Sequence, residues 1–463
     1  LSPKKKDDYN LSIRYNMSLY STSVSTAIID PSFHSSRRCE FRIPFKNQAY
    51  LPNLRIGNFG LIAGAEVEYA LGAGVAASIA RITLLDGEEE LDSLREVGSW
   101  LTFKSFMRPN SEAASISMPI EGGAGRGYTS STSMEVTVPI PSRKFANTAA
   151  QHSVNEHIHT GTLDLRVVFP FLGAITHLST ATFKNLRIVI EYQTDAARLV
   201  TNLSATLPLK PTVPILMADE ITDQALISTL DKQMMSQPVY WDAIEVDRIG
   251  LPSTSTATAD ATTAPVTQNV SLRSNGFIGK YLKRLLIQKS PQSSSLNVVS
   301  DIVQGFGGNG SVSMNQERAN LRVNGRSLLG GQGYNTAAQM SMGVADTWGE
   351  LNVVPYGAIQ SVGLDHARTL CLNAPAGVAP TFPSVLSQGN VTAGTARHAA
   401  TTGQQSYMAF RLDSRVDALQ IEYQRVGRFQ AAAATTPGQG GTSAALDLTC
   451  YAEVAKSLTV GAD

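Results

Sequence analysis

Two stretches near the end of the chain, Tyr407–Val416 (YMAFRLDSRV) and Leu419–Val426 (LQIEYQRV), decide the fold that the sequence predicts. In each, apolar and polar residues alternate over a short run, which is typical of a β-strand with one buried face. The first half of the chain closes on a similar pair, Thr162–Phe171 (TLDLRVVFPF) and Leu186–Val200 (LRIVIEYQTDAARLV). The sequence therefore predicts an all-β unit of roughly 200 residues that occurs twice.

The same alternation marks further strands, each with one apolar and one polar face, as a sandwich of two sheets requires. The predicted inward positions are Cys39, Phe41, Ile43 and Phe45; Met134, Val136, Val138 and Ile140; Leu163, Leu165, Val167, Phe169 and Phe171; and Met408, Phe410 and Leu412.

Helices are expected at two places only. Glu88–Phe103 spaces Leu91, Leu94, Val97 and Leu101 on one helical face, and Asp219–Met235 starts with acidic residues and ends before a proline. The second helix would divide the chain into four predicted parts. These are an N-terminal arm (1–37), a first sandwich (38–217), a helical linker (218–237) and a second sandwich (238–463).

The composition favours association over a solitary, strongly charged surface. Only 16% of the 463 residues are charged, and 38 basic residues balance 38 acidic ones. A protein that binds nucleic acid or membrane through bulk electrostatics is usually distinctly basic, so that class is disfavoured. The one basic cluster, Lys4, Lys5 and Lys6, is a candidate interior contact with genome or membrane; a solvated tail is the plainer interpretation.

Cysteine usage and hydropathy point to a soluble protein. Cys39, Cys371 and Cys450 are far apart and lack CxxC spacing, so free thiols are expected, which suits a reducing compartment. The beginning of the sequence shows no apolar core of a signal peptide. The most membrane-like stretch, Phe59–Leu85, is interrupted by Glu66, Glu68 and Arg81, and its uncharged run, Tyr69–Ala80, is too short to cross a bilayer.

No motif predicts catalysis or a cofactor. The glycines at 123, 125 and 127 lack phosphate-loop spacing, and Gly276–Lys280 lacks the hydroxyl that a P-loop places after its lysine. His152, His157 and His159, with Glu156 between them, form the one histidine cluster, but a fourth metal ligand is not evident. The carboxylates of residues 88–92 are explained by the start of the predicted helix. We therefore expect no catalytic, cofactor or metal site.

Several phrases, in order along the chain, resemble the double jelly-roll major capsid proteins of the adenovirus and bacteriophage PRD1 lineage, with virophages and Polinton-like viruses nearest. They are residues 50–56 (YLPNLRI), 82–87 (ITLLDG), 100–103 (WLTF), 214–221 (PILMADEI), 240–249 (YWDAIEVDRI), 275–280 (NGFIGK), 282–289 (LKRLLIQK) and 323–326 (VNGR).

This resemblance implies that each sandwich is an eight-stranded jelly roll and that the chain is a non-enzymatic structural protein of an icosahedral double-stranded DNA virus. It implies homotrimers that form pseudo-hexameric capsomers and contact neighbouring capsomers, penton proteins and minor capsid proteins in the virion. Lys4–Lys6 on the arm would face the genome or an internal membrane.

Two other functions fit a β-sandwich. A carbohydrate-binding or cell-attachment protein would show exposed aromatic platforms, for which Trp100, Trp241 and Trp348 are the tryptophan candidates. A hydrolase or cupin-like metalloenzyme would be centred on His152, His157 and His159.

Overall fold

The computed structural model describes residues 24–44, 48–63, 74–107, 125–126, 137–138, 143–144, 157–194, 210–251, 266–291, 318–330, 333, 343–344, 346–348, 407–427 and 446–459. In these ranges the fold is all-β, as predicted, and neighbouring strands pair in the antiparallel sense. No helix among these residues has the length and apolar character needed to cross a membrane.

The first half contains strands β1 to β15. They are β1 (Val24–Ile29), β2 (Phe33–His34), β3 (Arg38–Arg42), β4 (Ala49–Tyr50), β5 (Arg55–Ala63), β6 (Ile79–Asp86), β7 (Glu89–Arg95), β8 (Gly125–Arg126), β9 (Thr137–Val138), β10 (Arg143–Lys144), β11 (His157–Asp164), β12 (Leu178–Ser179), β13 (Leu186–Tyr192), β14 (Lys210–Pro211) and β15 (Ile215–Ile221).

The second half contains strands β16 to β23. They are β16 (Val239–Leu251), β17 (Val266–Ser274), β18 (Tyr281–Pro291), β19 (Arg318–Val323), β20 (Arg326–Ser327), β21 (Tyr407–Arg415), β22 (Leu419–Gly427) and β23 (Leu446–Leu458). Among the described residues, the α-helices with complete bounds are α1 (Val97–Met107), α2 (Pro170–Ala174) and α3 (Gln224–Ser236), and the 3₁₀-helices are Gly74–Ser78 and Leu165–Val167. Residues 343–344 and 346–348 are also helical.

In the described residues of the second half, eight strands form a jelly roll and pair from the outside inwards. The first strand pairs with the eighth (β16 with β23), the second with the seventh (β17 with β22), the third with the sixth (β18 with β21) and the fourth with the fifth (β19 with β20). Cross-pairing of β23 with β18 and of β22 with β19 then closes two four-stranded sheets. This is one long antiparallel hairpin folded over itself, the topology of a jelly roll.

The first half repeats the central part of this pattern. One sheet has the order β2-β3-β13-β6-β7, in which an early strand pairs with a late one and the late one with β6, as β16, β23 and β18 do. The facing sheet is built on β5, β11 and β15, and β1 pairs with the side of β15 that β4 and β5 leave free. The duplication seen in the sequence is therefore a duplication of sandwiches.

The alternation at the start of β3 is confirmed, because Cys39, Phe41 and Ile43 are buried. Both Cys39 and Cys450 are free thiols, as expected, and burial raises the pKa of Cys39 to about 11. In the second half, Met408 and Phe410 are buried in the core of the jelly roll, as predicted.

The predicted helix over Glu88–Phe103 is wrong in its first half, where β7 forms a hairpin with β6. A β-bulge opposite Leu84 and Leu85 shifts the alternation of β7 by one residue. The buried Leu91 and Leu94 are consequently three positions apart, the spacing that mimics a helical face. Only α1, beginning at Val97, is helical.

Two further boundaries differ from the prediction. The strand expected over Leu163–Phe171 ends at Asp164, whose carboxylate accepts a hydrogen bond from the Arg166 amide, and Pro170 then starts α2. The helix expected from Asp219 starts after Asp223, which accepts hydrogen bonds from the amides of Ala225 and Leu226, because β15 occupies the preceding residues.

The four-part division of the chain stays a prediction. β1 and β2 lie within residues 24–37 of the segment predicted as an arm, and β15 spans the predicted boundary at residue 217. Residues 1–23, together with Phe45, Met134, Val136 and Ile140, lie outside the residues that can be assessed.

The turn between β6 and β7 provides a test of the hairpin. Gly87 has a φ of +62°, which an L-residue adopts at a cost, and no atom lies within 4 Å of an added Cβ. We expect Gly87→Ala to lower the free energy of unfolding by about 1–2 kcal/mol in chemical denaturation. Gly173→Ala is the matched control, since Gly173 also has open space but no positive φ. Equal effects of the two substitutions would contradict the turn geometry.

Candidate assembly surfaces

The predicted site residues fall largely outside the described part of the chain. Lys4, Lys5 and Lys6 do, as do His152 and Glu156. His157 and His159 lie two positions apart on β11, opposite Ala63 and Leu61 of β5, so the backbone places them on one face of the strand. No group of three or more His, Cys, Asp or Glu residues able to share a metal ion is found among the described residues.

The three tryptophans do not form exposed platforms. The relative exposure of Trp100, Trp241 and Trp348 is 3%, 8% and 5%. All three belong to the large apolar core that runs through the first sandwich and into the second. Their rings pack the protein interior, and are not available for stacking on a sugar.

An aromatic cluster fills the seam between the two sandwiches. Trp100 and Phe103 of α1 meet Trp348, with ring centroids 5.6 Å apart in each pair, and Tyr451 of β23 lies 5.5 Å from Trp100. The guanidinium of Arg284 lies over the Trp348 ring at 4.5 Å. Side chains from both halves of the chain therefore share one core.

The seam has a second contact at α2. The Phe171 ring packs edge-on against Trp241 of β16, with centroids 5.1 Å apart. Nearby, Arg248 of β16 donates a hydrogen bond to the carboxylate of Glu96, which follows β7, at 2.9 Å. β7 is an edge strand of its sheet and so is β16, so the two sandwiches meet along these edges.

Beside this contact, β7 carries a buried carboxylate. Asp92 is 1% exposed, and its Oδ2 accepts a hydrogen bond from the Phe171 amide at 3.0 Å. Burial raises the pKa of Asp92 to about 7, against hydrogen bonds and the charge of Lys456, which lower it. The sequence assigned this carboxylate to the start of a helix, so its burial was not anticipated.

Helix α3 is fixed to the first sandwich by polar contacts as well as by its apolar face. The fully buried His177 lies 2.8 Å from the carboxylate of Asp231 through Nε2, and the Ser179 hydroxyl donates to the same carboxylate at 3.1 Å. Ile227 and Leu230 add apolar contacts with Ala49 and Ile221. The connection between the sandwiches is thus part of the folded first half.

The side of the first sandwich away from the seam exposes large apolar residues. β2 is the edge strand of its sheet opposite β7, and β1 continues the facing sheet beyond β15. Ile28 of β1 is 66% exposed and Phe33 of β2 is 52% exposed. We call this side the β1–β2 edge. Exposed apolar groups on a strand edge are typical of a contact surface.

The far side of the second jelly roll has the same character. Its sheets end at β21 and β20, opposite the edges at β16 and β17. Leu328, just after β20, is 40% exposed, and Tyr281 is 45% exposed beside Arg415 of β21. We call this side the β20–β21 edge. The two halves of the chain therefore each present an apolar outer edge.

An arginine cluster covers the outer face of β3 and β13, which sequence reasoning missed. The buried carboxylate of Glu40 pairs with Arg38 at 3.1 Å, Arg42 at 3.0 Å and Arg187 at 3.8 Å. Arg38, Glu40 and Arg42 alternate with the buried Cys39 and Phe41, so the pattern that predicted the core also contained this cluster. A chain of zero net charge thus carries a locally basic sheet face.

Comparison with known proteins gives similarity to solved structures only; no family model and no curated protein matches the sequence. The chain is similar to the Sputnik virophage structure determined by cryo-EM (9% identity, 95% of this chain and 89% of that one, TM-score 0.49). It is also similar to the mavirus major capsid protein (11% identity, 95% of this chain and 89% of that one, TM-score 0.49). A third similar structure is a chain of the PBCV-1 virus capsid (11% identity, 94% of this chain and 93% of that one, TM-score 0.48).

The contact between α3 and the first sandwich generates a stability prediction. We expect Asp231→Ala to lower the free energy of unfolding by about 1–3 kcal/mol, because it leaves Nε2 of the buried His177 imidazole without its hydrogen-bond partner. Asp417→Ala is the matched control, since its side chain is 73% exposed beside Arg415, and should cost less than about 1 kcal/mol. Urea denaturation measures both. An unaltered Asp231→Ala protein would show that the contact does not stabilise the fold.

Proposed function

We propose that the chain is the major capsid protein of an icosahedral double-stranded DNA virus, a structural component of the virion shell without catalytic activity. The observation that carries the proposal is the presence of two jelly-roll sandwiches in one chain, joined by a continuous apolar seam. Jelly rolls serve in capsids, in lectins and in cupins. The filled cores and buried tryptophans favour the first of these.

The outer edges support a homotrimer. If the β1–β2 edge of one copy meets the β20–β21 edge of the next, the contact is head-to-tail and a three-fold rotation closes it. Three chains then place six sandwiches in a ring, which is a pseudo-hexameric capsomer. Ile28 and Phe33 on one edge, and Leu328 on the other with Tyr281 on the neighbouring strand β18, supply apolar area for this contact.

The charge balance supports dense packing of such capsomers. A chain with 38 basic and 38 acidic residues has no net charge to repel its copies. Neighbouring capsomers, penton proteins and minor capsid proteins are the proposed further partners.

The trimer is tested by light scattering of the purified protein together with negative-stain images. We expect a mass close to three times the 49.5 kDa of one chain and a hexagonal outline. A monomer that stays compact at all concentrations would refute the proposal.

The variant Ile28→Lys tests the proposed contact between copies at the β1–β2 edge without disturbing the fold of the single chain. It should shift the mass toward monomer while the monomer keeps the far-UV circular dichroism of the folded protein, because Ile28 is mostly exposed and its replacement leaves the core intact. Tyr240→Lys is the control, since Tyr240 is 70% exposed on β16, away from both outer edges, and should leave the trimer intact.

The segment before β1 is proposed to face the particle interior, with Lys4–Lys6 contacting genome or membrane. Because β1 is part of a sheet, the informative truncation removes residues 1–23 and stops before Val24. We expect the truncated protein to form trimers but to lose salt-sensitive binding to DNA or to anionic vesicles, measured by co-sedimentation. Equal binding by the full and truncated chains would contradict an interior contact through this segment.

A further inference from the structure

Asp92 has an unusual environment for a carboxylate. It is buried in the first sandwich, and its oxygens accept hydrogen bonds from two backbone amides, those of Phe171 and Ser93, each at 3.0 Å. Both donors are uncharged amides, and the positive charge that acts on Asp92 is that of Lys456. An ionised carboxylate without an ion-pair partner is costly to bury, so the protonation state of Asp92 affects its surroundings.

The charged groups that act on Asp92 come from two elements. Lys456 of β23 favours the ionised form and Glu90, on the same strand as Asp92, disfavours it. Lys456 is itself paired with Glu245 of β16 at 3.2 Å, and Glu245 also binds Lys280. Three other elements pack against β7: β16 carries Asp242, Glu245, Asp247 and Arg248, whereas the partner of Asp92 on β6 is the uncharged Leu84 and α2 has the uncharged sequence PFLGA.

Helix α2 connects Asp92 mechanically to the second sandwich. The residue at the start of α2, Phe169, provides no side-chain cap, and the Asp92 carboxylate accepts from the next free amide, that of Phe171. The Phe171 ring then contacts Trp241 of the second sandwich at 5.1 Å and Phe183 of the first at 6.0 Å. One hydrogen bond therefore positions the side chain that spans the seam.

We propose that Asp92 is a proton-controlled latch between the two sandwiches: the neutral side chain holds α2 in the seam, and the ionised side chain weakens that hold. The latch is a property of the single chain and does not depend on the proposed capsid function.

The way in which the latch changes with pH follows from the pKa of Asp92 in the closed and in the opened seam. In the folded state the pKa of Asp92 is raised to about 7, whereas in an opened, hydrated seam it returns toward the ordinary value of 3.8. The closed seam consequently binds the proton more tightly. Its stability is complete below pH 3.8 and is lost as the pH rises toward 7. The latch is tight in mild acid and weaker at neutral and alkaline pH.

Hydrogen exchange of the Phe171 amide, corrected for the intrinsic effect of pH, tests the latch in the full chain. Between pH 5 and pH 8 we expect its protection to fall on the order of 100-fold, from the difference between the two pKa values. Amides of β16 near Trp241 should follow, while those of β19 and β22, in the far sheet of the second sandwich, should not.

The variant Asp92→Asn keeps a side-chain oxygen that can accept the hydrogen bond from the Phe171 amide, but its side chain cannot ionise. In this variant the protection of the Phe171 amide against hydrogen exchange should be independent of pH. Asp86→Asn is the matched control, because Asp86 also accepts a backbone hydrogen bond, from Asn185 at 2.8 Å, without a buried site; it should behave as the wild type. Burial also raises the pKa of Glu453, but Glu453 is present in every variant, so its contribution to the pH dependence is the same in each and drops out of the comparison. An identical pH response in wild type and Asp92→Asn would overturn the proposal.

A second variant keeps the test decisive if Asp92→Asn does not fold. Lys456→Met removes the positive charge that favours ionised Asp92, so the loss of Phe171 protection should move to higher pH. An unshifted transition in Lys456→Met, or a loss of protection spread evenly over both sandwiches, would likewise overturn the latch.

Discussion

The architecture depends on the burial of aromatic side chains between two edge strands. An isolated sandwich would leave Trp100, Trp348 and Tyr451 partly in water, and burial of such rings contributes several kcal/mol each at about 25 cal/mol per Å². Trp100 comes from α1 of the first half, whereas Tyr451 of β23 and Trp348 come from the second half, so neither half completes its surface alone. The seam therefore fixes which edges are internal and which remain on the outside.

Because the seam uses the inner edges, the contacts between copies that we propose are assigned to the outer edges. β7 and β16 are used within the chain, whereas β1 and β2 at one side and β20 and β21 at the other end their sheets away from this seam. The arginine cluster around Glu40 lies on a sheet face next to the β1–β2 edge and adds positive charge there. A surface that combines exposed apolar groups with preorganised charge resembles the core and rim of an interface.

The sequence predicted buried residues correctly where a single strand alternates between an apolar and a polar face. Cys39, Phe41 and Ile43 could be assigned to a core because alternation of side chains is local to a strand. The bulge at Leu91 could not be predicted, since it depends on pairing with β6. The seam was equally out of reach, because Trp100 and Tyr451 are brought together only by the tertiary fold. Asp92 was misread for the same reason: its partner, the Phe171 amide, belongs to a distant segment.

The pairing order of the second jelly roll has a consequence for biosynthesis. β23 forms the centre of its sheet between β16 and β18, and its register pairs Val239 with Leu458. Such a sheet cannot form until the last strand has been synthesised, so its contact order is high and its folding is expected to be slow. The first sandwich can fold earlier, while Trp100 and Phe171 await their partners. A nascent chain thus carries an exposed apolar seam during translation, and this interval is when a chaperone would protect it from aggregation.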